Sequence, residues 1–99
     1  MSIAATRVYT VTQLNTLVYE LLESSFAELW VEAEISNCRP YPSGHTYMTL
    51  KDETAQITAV LFKGAAALIA FKPKDGLKVL VRARLSSYIK RGDIQLIIS

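Results

Sequence analysis

One cysteine, one histidine, three prolines and four glycines are spread over 99 residues, and each scarcity closes off a class of protein. Cys38 has no second cysteine to pair with, so no disulfide can replace a hydrophobic core, and a reducing compartment is the simple reading. One histidine and one cysteine cannot supply a Cys/His zinc set. There is no glycine-rich phosphate loop followed by Lys-Ser/Thr, and no His-Glu-x-x-His pair. The longest unbroken apolar run, Ala65–Phe71, is far shorter than the roughly 20 residues of a bilayer span. Met1–Arg7 carries one positive charge, but no signal-peptide core follows it. The chain reads as a cytoplasmic, unexported domain with no membrane segment.

What is present is a composition that can bury a core, 51% hydrophobic and 20% charged, on a length that fits one domain. The net charge of +2 hides an asymmetry. Up to Ser36, Arg7 stands against Glu20, Glu23, Glu28, Glu32 and Glu34; beyond it, ten Lys and Arg stand against four acids. A basic portion of this kind draws a polyanion through its local field, although ordinary surface solubility would leave a similar trace.

The first element is an amphipathic helix near Thr12–Ser24, with Thr12 as N-cap. Leu14, Leu17, Val18, Leu21 and Leu22 form one apolar stripe, which should pack on the domain that follows. From Trp30 the period becomes two: Val31, Ala33 and Ile35 point inward, Glu32 and Glu34 outward, and Trp30 itself reads as packing beside the helix. Arg39–Gly44, with two prolines and a glycine, is a loop. A second strand spans His45–Lys51, with Met48 and Leu50 inward. Asp52-Glu53-Thr54 is a tight turn. A third strand spans Ala55–Phe62, with Ile57, Ala59 and Leu61 inward and Val60 outward. The alanine-rich stretch Lys63–Phe71 favours a short helix. A fourth strand, Lys78–Tyr88, puts Val79, Val81, Ala83 and Leu85 inward, and Lys90–Asp93 turns into a fifth, Ile94–Ser99. That strand ends on Ile97-Ile98-Ser99, which suggests truncation and a fragment of a longer chain.

Three strands, a short helix and two strands make up the element order of the OB-fold, a mainly β, five-stranded Greek-key barrel with its helix between strands three and four. The expected organisation is an arm and helix over residues 1–28 and the barrel over 29–99. Ligands of such barrels lie across strands two and three, between the loops joining strands one to two and four to five. The first of those loops holds Arg39, Tyr41 and His45, and the second is flanked by Tyr88, Lys90 and Arg91. The outward side of strands two and three adds Tyr47, Lys51, Gln56, Phe62 and the adjoining Lys63, and strand four adds Arg82 and Arg84. Cations meet phosphates while rings stack on any base, so these thirteen residues form a candidate single-strand interface. No catalytic set, metal site or cofactor site can be assembled. Glu32 and Glu34 read as a solvated strand face rather than a cation pair.

Several segments resemble the opening of bacterial exonuclease VII large subunits. They are Tyr9-Thr10-Val11-Thr12-Gln13-Leu14-Asn15, Trp30-Val31-Glu32-Ala33-Glu34-Ile35-Ser36-Asn37, Ser43-Gly44-His45-Thr46-Tyr47-Met48-Thr49-Leu50-Lys51-Asp52 and Gly92-Asp93-Ile94-Gln95-Leu96. The resemblance implies a bacterial, cytoplasmic exodeoxyribonuclease that degrades single-stranded DNA. Its catalytic residues would lie beyond Ser99, its C-terminal region would bind a small subunit, and this domain would capture the strand. The residues alone leave two other readings open: an RNA-binding module of the tRNA-anticodon type, and a protein-interaction barrel.

Overall fold

The computed structural model describes residues 7–66, 72–88 and 93–99. Helix α1 (Val11–Ser25) precedes strands β1 (Leu29–Pro40), β2 (Thr46–Lys51) and β3 (Gln56–Leu61). A short helix α2 (Lys63–Ala66) and strands β4 (Lys78–Tyr88) and β5 (Asp93–Ile98) complete the fold. The strands close into a barrel in the order β1-β2-β3-β5-β4, antiparallel throughout except where β3 runs parallel to β5. This is the mainly β OB-fold architecture. The remainder of the expected short helix, from residue 67 to 71, lies outside the described residues.

Alternating apolar side chains build the interior. Ile35, Met48, Leu50, Ala59, Leu61, Val81, Ala83, Leu96 and Ile98 form one buried cluster, with Val31, Ala33, Ile57, Val79 and Leu85 packed against it. β1 is long enough to serve two neighbours. Its first half, Leu29–Glu34, pairs with β4, and its second, Glu34–Pro40, with β2. Glu34 therefore lies between Lys51 and Lys78 in register, which accounts for a glutamate on that face.

Four details depart from the sequence reading. The N-cap of α1 is Thr10, not Thr12: the Thr10 hydroxyl accepts the Gln13 N–H at 3.0 Å, and Gln13 Oε1 accepts the Thr10 N–H at 2.9 Å. That reciprocal box needs a long amide three residues on, and Thr12 is followed at that spacing by the shorter Asn15.

The apolar stripe of α1 is turned away from the barrel. Tyr19 is the buried residue of the helix, with Leu22 half-buried on its side, whereas Leu14, Leu17 and Leu21 are 50%, 50% and 67% exposed. At 3.6 residues per turn those three leucines lie opposite Tyr19. Immediately after the last turn, the Leu85 N–H of β4 donates to the Phe26 carbonyl at 3.0 Å, which ties the exit of the helix to the barrel.

Trp30 is 63% exposed rather than packed, since it takes the outward parity of β1 opposite Arg82. Finally, β1 runs through Arg39 to Pro40, so the loop begins at Tyr41; Pro40 is tolerated as the terminal strand residue, where a missing donor costs least.

Candidate nucleic-acid interface

The connection from β1 to β2 is tied into a tight hairpin. The Tyr41 N–H donates to the His45 carbonyl, and the Gly44 N–H to the Tyr41 carbonyl, both at 2.9 Å. Gly44 has φ +93°, and a Cβ there would stand 2.9 Å from Cγ and Cδ of Lys63. Conformation and close approach both demand glycine at this point.

Four rings gather where this hairpin meets the end of β3. Tyr41 and Tyr47 meet edge to face with centroids 5.1 Å apart, and His45 and Phe62 do the same at 4.9 Å. Tyr41, Tyr47 and Phe62 all remain more than a third exposed. Lys63 follows Phe62 directly and is exposed.

Arg39 joins this cluster through a β-bulge. The register runs Ser36↔Thr49 and then Arg39↔Tyr47, three steps on β1 against two on β2. The extra residue reverses the in–out parity, so Arg39 shares the outer face with Tyr47 instead of pointing into the barrel. Asn37 adopts φ +51° at the bulge, a conformation that asparagine tolerates. The Cys38 N–H donates to Asp75 Oδ1 at 2.7 Å, and its thiol donates to the Pro73 carbonyl at 3.6 Å. Partial burial, then the neighbouring Asp75 charge, push the Cys38 thiol above its ordinary value. Neither the bulge nor the anchoring role of Asp75 was read from the sequence.

Two rows cross the outer face. Tyr47, Val60, Ile97 and Arg84 are successive partners on β2, β3, β5 and β4. Beside them runs an uncharged polar row, Ser36, Thr49, Thr58, Gln95 and Ser86. Val60 faces outward as expected but is fully buried, flanked in register by Tyr47 and Ile97. It forms the floor of the face. At the far end, Lys51 pairs with Gln56, beyond which Asp52 shapes the β2–β3 turn. Asp52 Oδ1 accepts the Thr54 and Ala55 N–H groups, both at 2.9 Å, and these bonds hold its carboxyl below the usual range.

The thirteen candidate residues do not all converge. Arg39, Tyr41, His45, Tyr47, Phe62 and Lys63 lie at one end of the β2–β3 face, and Lys51 and Gln56 at the other. Arg84 closes the row from Tyr47. Arg82 is engaged elsewhere, donating through Nε to Ser99 Oγ at 3.1 Å with Glu28 3.9 Å away. The backbone of Tyr88 pairs with Asp93 near the Lys51 end. Lys90 and Arg91 lie outside the described residues. No helix among the described residues is long and apolar enough to cross a membrane.

A closed five-stranded barrel whose exposed face carries rings, cations and hydrogen-bonding groups defines a class, and comparison with known proteins agrees. A family model described as an OB-fold nucleic acid binding domain matches residues 9–99, and the chain belongs to that family. Its relatives are more particular. The exodeoxyribonuclease 7 large subunit of Thioalkalivibrio sulfidiphilus is 48% identical over 98 residues, covering 99% of this chain and 22% of that protein. Those of Shewanella loihica and Geotalea uraniireducens are 49% identical over 98 residues and 47% over 95. They cover 99% and 96% of this chain, and 22% and 21% of those proteins. The resemblance to exonuclease VII large subunits thus extends across the chain, which spans about a fifth of the length of these relatives. Among solved structures, a protein assigned as an aspartyl-tRNA synthetase from Leishmania major Friedlin superposes with a TM-score of 0.57 at 16% identity. That match covers 99% of this chain and 22% of the other, and it bears on the fold alone.

Proposed function

We propose that this domain binds single-stranded DNA across β2 and β3 and presents it to a catalytic domain elsewhere in a longer exodeoxyribonuclease large subunit. The observation that carries the reading is the ring cluster with Arg39 and Lys63 beside it, at one end of a face that has Lys51 and Gln56 at the other. Four residue steps along β2 take Tyr47 to Lys51, about 14 Å at the antiparallel strand rise. At about 3.4 Å per stacked nucleotide this is room for roughly four, the lower end of OB-fold site sizes. Rings stack on any base, so affinity is sequence-tolerant, and phosphate contacts make it fall with salt. The family relationship supports the setting: a bacterial, cytoplasmic enzyme whose catalytic residues and small-subunit contacts lie in other regions of the large subunit.

Anisotropy titrations with a labelled oligothymidine, its ribonucleotide counterpart and a matched duplex test the reading. The single DNA strand should bind most tightly and stay uncut by this domain. Equal or tighter duplex binding overturns the stacking model, and a clear preference for the ribonucleotide strand moves the assignment to RNA.

A further inference from the structure

His45 is the only histidine in the chain, and its ring does more than shape the hairpin. The Lys63 backbone N–H donates to His45 Nδ1 at 2.9 Å, across 18 residues of sequence. Lys63 opens α2, so this N–H is one of the donors that a helix leaves without a partner at its first turn. The same imidazole packs edge to face on Phe62, the residue before that helix, while Gly44 admits the Lys63 stem. One side chain thus joins the β1–β2 hairpin to Phe62 and Lys63, the ring and the cation at the upper end of the interface.

We propose that His45 is a positioning residue for the nucleic-acid interface, a latch whose unprotonated Nδ1 holds the hairpin on the start of α2 and which proton uptake releases. The inference rests on the single-strand reading above. An imidazolium carries a hydrogen on both nitrogens and can no longer accept the Lys63 N–H. The two segments that the ring joins, residues 39–47 and 60–66, contain no Asp or Glu to pair with its added charge. The charged and titratable groups on those segments are Arg39, Tyr41, Tyr47 and Lys63. With the latch open, the hairpin must be ordered by the ligand, and that cost is subtracted from affinity.

Two substitutions separate the acceptor from the ring. The amide oxygen of His45→Asn can occupy the place of Nδ1 without the ring, whereas His45→Phe keeps a ring and removes the acceptor. Oligothymidine binding is measured for both and for the unmodified chain between about pH 8 and pH 5, where histidine ordinarily titrates. At the upper pH, His45→Phe should bind about three- to tenfold more weakly than the unmodified chain, the scale of one lost hydrogen bond, and His45→Asn, which keeps the acceptor but loses the ring contact with Phe62, should recover part of that loss. On acidification the unmodified chain should lose affinity relative to His45→Asn. Unchanged binding by a folded His45→Phe overturns the latch. So does a growing advantage of the unmodified chain over His45→Asn at low pH, which would make His45 a direct phosphate contact. Tyr47→Ala, run alongside, separates the two failures. If it weakens binding while His45→Phe does not, only the latch is wrong; if neither does, the interface itself is misplaced.

Discussion

The bulge in β1 links a distant hydrogen bond to the direction of Arg39, a candidate interface side chain, and Asp75→Ala measures that link. Asp75 accepts the Cys38 N–H at 2.7 Å, and the parity change at Asn37–Cys38 turns Arg39 outward beside Tyr47. Hydrogen bonds to a charged group contribute about 1.5–3 kcal/mol, and solvent screening at this exposed pair reduces that to about 1 kcal/mol. For a domain of this size, about 1 kcal/mol corresponds to a fall of roughly 4–8 °C in Tm. Asp75→Asn removes the same charge but keeps an oxygen acceptor. The difference between Ala and Asn therefore isolates the hydrogen bond from the general gain in positive potential.

Thermal melts read the stability term, and oligothymidine titrations over a range of salt read the effect on Arg39. If the freed bulge lets Arg39 swing away from the phosphates, the slope of log affinity against log salt should flatten by up to about 0.7, the single-strand value for one contact. Arg39→Ala should flatten it by the same amount with little change in Tm. An unaltered Tm in Asp75→Ala would refute the anchor. A lowered Tm with an unaltered slope would leave the anchor standing and refute its connection to Arg39.

Tyr47→Ala removes a ring and no charge, so it should weaken oligothymidine binding by about 1–3 kcal/mol while the salt slope stays as it was; a changed slope would argue against stacking. Leu50→Ala, at a residue 1% exposed, should cost about 2–5 kcal/mol in denaturant unfolding, whereas Leu17→Ala on the outer side of α1 should stay within about 0.5 kcal/mol. Comparable losses at the two positions would mean that the leucine stripe is covered after all. The Asp52 carboxyl is held below its ordinary value by the Thr54 and Ala55 N–H groups, so its contribution is present above the unfolded-state value near 4 and lost as pH falls through the folded one. The stability gap between the unmodified chain and Asp52→Asn should therefore be constant from about pH 7 to 5 and close at lower pH, and a gap independent of pH would exclude the charge as its source.

How far a feature can be read from sequence depends here on how far away its cause lies. The span of β4, Lys78–Tyr88, and the inward set Val79, Val81, Ala83 and Leu85 follow from alternation within a single segment, where each residue reports its own face. The barrel order follows from the succession of such segments. The helix was legible as a helix for the same reason. Its orientation was not, because periodicity identifies an apolar side without saying what that side meets. The role of His45 depends on a donor 18 residues away, and the anchoring of the bulge on an acceptor 37 residues away. A local trace of the bulge does exist. Counting by twos from the buried Ile35 places Arg39 inside the barrel, where an unpaired guanidinium is untenable, so one extra residue must intervene before it. Asn37 lies within that interval, and asparagine is among the few side chains at ease with a positive φ. The same conflict predicts a bulge only where a strand's period would carry a charge into the barrel, and Lys51, which reaches the outer face of β2 in unbroken register, needs none.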